Sequence, residues 1–444
     1  MTIARTICIG FLALILLGTL LLLMPFATGD GSWNNPMVAL FTATSAVCVT
    51  GLAVVDTGTD FSFWGQLTIL FLIQLGGLGY MMITTFLMLL LGRKFDLKQK
   101  FAIQESFDRP FLQGSNSLVV SIIATTLIFE ITGIFLLLRV FAGEFGLSRG
   151  LWLAVFHSIS AWNNAGFSLF SDSLVAYRNS WIINLVIPGL VIFGGIGYQV
   201  IIEFYLWLRK VFSKQKRIFC FSLNFKVVIS TTALLLIVGT IAFFITEFNN
   251  PETLQNLRLE DKFLAAWFQS MTTRTAGFNS IDIGQMTTAG LFITMGFMFI
   301  GASPSGTGGG IKTTTFNVLY NCTKSALEGK DNVVIYQREV PSTLILKAVA
   351  VVFGTAASIV VITVLISLVE PNINFIQLLF EVISAFATVG LSTGITASLT
   401  TAAKLFLVFA MYIGRVSILL LIAAFIGDAK PSSLQYPEEN LLVG

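Results

Sequence analysis

Four short segments carry the residue types needed to hold a cation stripped of water: Val49-Thr50-Gly51-Leu52, Asn164-Ala165-Gly166-Phe167, Thr275-Ala276-Gly277-Phe278 and Thr388-Val389-Gly390-Leu391. An ion leaving water must exchange its shell for other oxygens, and a ring of backbone carbonyls supplies them without net charge. Aiming carbonyls at one axis requires backbone angles that glycine adopts at little steric cost. None of the four segments contains an acid, so the chemistry is that of carbonyl ligands and not of a carboxylate ring for divalent ions. A lone turn of this kind reads as a glycine helix cap. The set argues against that reading. An aromatic residue precedes each glycine by ten positions (Phe41, Phe156, Trp267, Phe380), and the glycines recur at intervals of 115, 111 and 113 residues. A fixed period marks a repeated structural unit.

The elements that must position these turns are membrane helices. Of the 444 residues 55% are hydrophobic and 11% charged, with a mean hydropathy of +0.86, against roughly 25% charge in soluble domains. The chain therefore reads as an all-α integral membrane protein in contact with a lipid bilayer. Its net charge of +3 offers no basis for nucleic-acid binding. Four scattered cysteines without CxxC spacing and a single His157 support neither a disulfide framework nor a metal cluster, and no covalent cofactor is implied. The apolar run Ile7 to Ala27 is too long for a cleaved signal core, so it is expected to be the first permanent span.

About 20 apolar residues cross the hydrocarbon core. Spans fit at 7–27, 65–91, 118–138, 181–208, 227–246, 286–320, 343–369 and 405–427. Each glycine turn falls between two of them, after an apolar helical stretch too short to cross. The expected organisation is four units of span, re-entrant pore helix and span: 1–92, 110–210, 224–322 and 343–430, with a cytoplasmic tail at 431–444. Two crossings return the chain to its starting side, so the units run parallel and enclose an axis. Irregular backbone at membrane depth is tolerated where it lines a watery cavity; the geometry is that of a pore. The short helices would point the negative ends of their dipoles at that axis, which favours a cation. Seventeen Lys and Arg residues lie on the side of the termini and seven on the side of the turns, which predicts cytoplasmic termini and turns entering from outside.

Below the turns, Gly301-Ala302-Ser303-Pro304-Ser305-Gly306-Thr307-Gly308-Gly309-Gly310 interrupts the span 286–320. Such a run cannot sustain a helix. It is not a nucleotide loop, because Ile311 stands directly before Lys312 where glycine is required. A flexible gating loop beneath the turns is the functional reading, with Lys312 facing the same path. Arg415, in an apolar run, costs roughly 2.5–3.5 kcal/mol at mid-membrane; it is expected to face the pore as a barrier near that loop. Glu130 and Glu203 are read as partners of basic or interfacial groups, His157 as a structural residue, and the clusters Gly76-Gly77-Leu78-Gly79 and Gly194-Gly195-Ile196-Gly197 as close-packing sites. The basic stretch Arg209 to Lys226 suffices as a positive-inside loop.

Taken together, the four units with turns TGL, NAGF, TAGF and TVGL resemble the Trk/Ktr/HKT superfamily of potassium transporters, most closely its bacterial Ktr-type membrane subunit. The resemblance spans essentially the whole chain. It implies that Val49, Thr50, Gly51, Asn164, Ala165, Gly166, Thr275, Ala276, Gly277, Thr388, Val389 and Gly390 form a potassium filter, with Gly51 rather than serine favouring potassium over sodium. It implies an intramembrane gating loop at the glycine-rich stretch and a barrier arginine in the last span at Arg415. It further implies a homodimer with one pore per subunit in the plasma membrane, controlled by a cytoplasmic nucleotide-binding ring, and a dependence on sodium in some members. The alternative is a sodium-coupled symporter working by alternating access. Such folds often carry inverted repeats and charged sites, whereas these repeats are parallel and the turns uncharged. A membrane enzyme would need a convergent catalytic set that the chain does not offer.

Overall fold

The computed structural model describes residues 3–79, 115–213 and 219–426. In the first unit, α1 (Ile3–Leu23) is followed by α2 (Pro36–Cys48) and α3 (Phe63–Leu78). Helix α2 starts where Asn35 accepts a hydrogen bond from Met37 N with Pro36 at the first turn, a favoured helix opening. Its 13 residues rise only about 20 Å, too little to cross the hydrocarbon core. The second unit holds α4 (Ser115–Trp162), α5 (Trp181–Ile196) and α6 (Tyr198–Phe212). Here the span and pore helix run together as α4, interrupted at Gly146 (φ 76°, ψ 168°). The third unit comprises α7 (Leu223–Glu247), α8 (Leu259–Thr272), α9 (Thr288–Phe299) and α10 (Thr313–Leu327), followed by a small hairpin of β1 (Val334–Ile335) and β2 (Arg338–Glu339). The fourth comprises α11 (Ser342–Val369), α12 (Phe375–Phe386), α13 (Thr401–Val416) and α14 (Ile418–Ile426).

The first helices of the units are each long and apolar enough to cross a membrane. The second spans depart from expectation. Segments 181–208 and 405–427 are not single rods: α5 and α6 meet at 101°, and α13 and α14 at 89°. The breaks fall at Gly197 and Ser417, with φ values of 91° and 74°, which no helix accommodates. In the third unit the break is the glycine-rich loop itself. In the first, the span is described as far as Gly79 (φ 78°); its continuation to 91, the linker before Ser115 and the tail 431–444 lie outside the described residues.

The units close into a ring. Helix α3 packs on α4, α5 on α8, α9 on α12, and α13 on α2, so each second span meets the pore helix of the next unit in one direction around the axis. Within the first, second and fourth units, small residues of the second span let it approach its own pore helix closely. A methyl group on Gly76 would strike Val47 O, on Gly194 Trp162 O, and on Gly414 Phe386 O. These contacts bear out the close-packing role of the glycine pairs, and Gly414 takes the same part in the fourth unit.

One register expectation is corrected. Phe41, Phe156 and Phe380 are fully buried, but in the third unit that place belongs to Phe268, whereas Trp267 is half-buried. The shift by one residue recurs in the hydrogen bonds of the turn described below. The helix-to-glycine segment of the third unit is therefore one residue shorter, and the spacing from Trp267 matches the other units only in sequence.

Candidate functional site: a ring of four glycine turns above a clamped loop

The four glycines meet at the centre of the molecule. A methyl carbon built on Gly51 would lie 2.5 Å from Ala165 O, on Gly166 2.8 Å from Ala276 O, and on Gly277 2.6 Å from Val389 O; on Gly390 it would collide with Thr50 O. Each contact runs to the residue before the next unit's glycine, so the turns form a closed cycle of backbone. All four glycines have positive φ (92°, 68°, 79° and 94°). The residues two places earlier share that conformation: Val49 at 57°, Asn164 at 58°, Thr275 at 64° and Thr388 at 52°. Left-handed backbone costs L-residues roughly 1–2 kcal/mol, and for the β-branched Val49, Thr275 and Thr388 it is an outlier. Strain repeated at the same step of four turns is imposed by the surrounding structure. The sequence-predicted residues Val49, Thr50, Gly51, Asn164, Ala165, Gly166, Thr275, Ala276, Gly277, Thr388, Val389 and Gly390 are thus brought together.

What holds the strain is a set of hydroxyl braces that the motif reading missed. Ser45 Oγ accepts from Gly51 N at 3.0 Å, and Ser384 Oγ accepts from Gly390 N at 3.1 Å. Ser160 Oγ donates to Phe167 O at 2.8 Å. In the third unit Thr272 Oγ1 donates to Phe278 O, one position later than a residue-by-residue match with Ser160 would place it. The signal was available: counting from Phe41, Phe156 and Phe380, the fifth residue is Ser45, Ser160 and Ser384, and counting from Trp267 the sixth is Thr272. The turns also close on the helix ends, with Thr50 N, Ala165 N and Val389 N donating to Ser45 O, Ser160 O and Ser384 O, each at 2.8 Å.

Beneath this ring the loop Gly301–Gly310 presses against the turn threonines Thr275 and Thr388. A methyl on Gly308 would strike Thr275 Oγ1, and one on Gly309 would strike Thr388 Oγ1. The sequence suggested a flexible loop, but in this conformation it is tied on several sides. Ser303 N donates to Gly195 O at 2.9 Å, Thr307 N to Gly194 O at 3.1 Å, and Tyr198 N to Ser305 O at 3.2 Å. Thr307 Oγ1 donates to Asn164 Oδ1 at 3.1 Å, linking loop and ring directly. Gly306 N bonds Ser303 O in the turn that contains Pro304 and Ser305, the latter at φ 61°. Lys312 Nζ donates to Gly308 O at 2.8 Å.

Arg415 completes the clamp. Its guanidinium donates to Thr307 O in the loop and to Gly76 O at the end of α3, with Gly77 O at 3.4 Å. A planar fork suits several carbonyls at once, and these contacts satisfy a charge that lipid would not. The carbonyls of Gly76 and Gly194 could not be singled out from sequence, since backbone groups carry no residue signature.

The remaining sequence candidates have structural partners. His157 is fully buried, with Nδ1 on Leu153 O at 2.8 Å and Nε2 on Ser168 Oγ at 3.0 Å. Glu203 accepts from Ser222 Oγ at 2.8 Å at the start of α7 and forms no ion pair among the described residues. Glu130 lies buried beside Asn163 Nδ2 and likewise has no basic partner among the described residues.

Comparison with known proteins agrees with this architecture. The family model described as TrkH, cation transport protein, matches residues 9–433. The chain is 39% identical to Ktr system potassium uptake protein B of Bacillus subtilis, over 99% of this chain and 96% of that protein. It is 37% identical to the potassium/sodium uptake protein NtpJ of Enterococcus hirae, over 99% and 97%. Among solved structures, the potassium transporter TrkH of Vibrio parahaemolyticus superposes with a TM-score of 0.71 at 19% identity, covering 94% of this chain and 84% of that one, which establishes a shared fold. A ring of glycine turns carried on membrane helices and a family match over nearly the full length lead to one conclusion: the chain is a member of the TrkH family of cation transport proteins, a membrane transporter and not an enzyme.

Proposed function

We propose that this chain is the pore-forming subunit of a potassium uptake system of the plasma membrane, with both termini cytoplasmic. The closed cycle of Gly51, Gly166, Gly277 and Gly390 carries the reading. Four turns from parallel units offer uncharged backbone oxygens around one axis, and a ring of carbonyls replaces the water shell of an alkali cation. The names of the Bacillus and Enterococcus relatives support potassium as the ion. The loop Gly301–Gly310 is the gate. Held by Arg415, Lys312 and the carbonyls of Gly194 and Gly195, it closes the path under the filter; release of the Arg415 fork from Thr307 O opens it.

By its resemblance to the Ktr type, the subunit works as a homodimer under a cytoplasmic nucleotide-binding ring, and sodium acts as an activator or coupled ion. The name of the Enterococcus relative, which joins sodium to potassium, favours keeping sodium in the test.

The deciding experiment is potassium uptake in transport-deficient cells or proteoliposomes, with sodium varied, for the unmodified protein and Gly51→Ser, Gly166→Ser, Gly277→Ser and Gly390→Ser. The expected result is weakened potassium affinity or admission of sodium in every variant. Folded variants with unaltered selectivity would remove the turns from the ion path.

A further inference from the structure

Arg274 is a second arginine held among the spans, and neither the ring nor the clamp makes use of its charge. It stands three residues before the filter glycine of the third unit, where the other units have Cys48, Asn163 and Ala387. The residue is 7% exposed. Its Nη1 and Nη2 reach only Thr232 O and Thr232 Oγ1, each at 3.4 Å, longer than a well-formed N–H···O bond. Its Nε has no acceptor. No ion pair among the described residues involves it. A guanidinium carries five donors and keeps its charge in proteins. Buried without a counter-charge it is strongly destabilising, which is why such groups are paired in native structures.

A small cavity lies against this side chain. Asn164, Ile192, Gly195, Thr232, Met271 and Ala302 are among its walls, which places it where the second and third turns meet the start of the gating loop. Among the described residues no acid lines it, Arg274 brings positive charge to it, and the other walls are mostly apolar. That composition repels a cation. A water would occupy a donor but leave the charge uncompensated. The dimensions admit a guest on the scale of one water and exclude a phosphate ester or a carboxylate chain.

We propose that this cavity is a binding site for a small monovalent anion of the halide class, which pairs with Arg274. The anion joins Arg274 of the third unit to the wall formed by Asn164, whose amide donates to Thr275 Oγ1 at 3.4 Å and accepts from Thr307 Oγ1. It thereby stiffens the seam between two turns and the loop. The site depends on Arg274 and its cavity, not on which cation the filter passes.

The test is thermal unfolding of the full-length protein in detergent at constant ionic strength, with chloride, bromide or gluconate as the anion. The unmodified protein is expected to show a higher midpoint in chloride and bromide than in gluconate, saturating with halide concentration, and Arg274→Gln to lose that difference. In parallel, crystals grown in bromide are expected to give an anomalous peak within hydrogen-bonding reach of the Arg274 guanidinium. Indifference of the unmodified protein to halide, the same halide dependence in R274Q, or a cavity holding water without a bromide signal would each overturn the proposal. Should R274Q not fold, the bromide experiment on the unmodified protein decides alone.

Discussion

The ring of turns and the layer directly beneath it are built on opposite plans. In the ring, four units with different side chains converge on one backbone: positive φ at the same two steps, a hydroxyl brace, and a carbonyl packed against the next glycine. In the layer below, one unit departs from the others. The second spans of the first, second and fourth units reach the same left-handed backbone step at Gly79, Gly197 and Ser417 (φ 78°, 91° and 74°), whereas the third opens into a ten-residue loop. Among the described residues, the fourth alone contributes an arginine to the clamp. Under the proposed function, equivalent ligands around an ion demand sameness, whereas a gate needs one element able to move against partners that stay. The lesson is that near-symmetry here is selected by backbone geometry, and in the layer below it is broken by the third unit's loop and the fourth unit's arginine.

Alanine at the four turn glycines is the strongest way to break the comparison. If the ring is equivalent in all units, Gly51→Ala, Gly166→Ala, Gly277→Ala and Gly390→Ala each add a methyl into a neighbouring carbonyl on left-handed backbone. Each is expected to lower potassium affinity in uptake assays by more than tenfold, equivalent to upwards of about 1.4 kcal/mol. One variant with native affinity would show that the ring is not a functional unit. Arg415→Ala comes next, because it removes the fork between the loop and α3. Uptake by this variant is expected to lose its dependence on regulation and to leak, while Arg415→Lys, which cannot span the same carbonyls, falls between. Flux and gating equal to the unmodified protein in R415A would rule out the proposed barrier role of Arg415.

Gly308→Ala and Gly309→Ala sharpen the contrast from the loop side. Both push against turn threonines, Thr275 and Thr388, and both are expected to raise basal flux by displacing the loop, measured in proteoliposomes without a regulator. Gly296→Ala, where an added methyl meets nothing within 4 Å, is the control and should transport normally. Ser384→Ala is the smallest effect. Losing one brace should cost about 1 kcal/mol, seen as a several-fold rise in the potassium concentration for half-maximal uptake, with selectivity partly kept. Equal loss in Ser45→Ala would extend the likeness of the units to their braces.

The sequence carried the ring well because its requirements are local. A glycine at each turn, a short helix ahead of it and a recurring period are written in residue type, and the four turns lie together in the structure. The broken second spans were less legible. Gly197 and Ser417 sit in runs whose hydropathy is that of a continuous helix, and the sharp bend is set by packing against the loop and against α11 and α1, which lies far away in sequence. Arg415 could be recognised as costly in lipid, but its partners are carbonyls, which every residue has. The one-residue shift in the third unit was hidden by two adjacent aromatics, Trp267 and Phe268, either of which fits a pattern; burial alone separates them.

The closure of the ring through α13 on α2, and of the outer wall through α14 on α1, has a consequence for biogenesis. A nascent chain inserted unit by unit keeps the free faces of its first pore helix and first span uncovered until residues near Ile426 have left the ribosome. A product halted before Thr401 would present an open, incompletely walled turn cluster to lipid, the kind of exposed surface that invites misassembly and degradation. Quality control of this transporter is therefore expected to read the pairing of its earliest and latest helices.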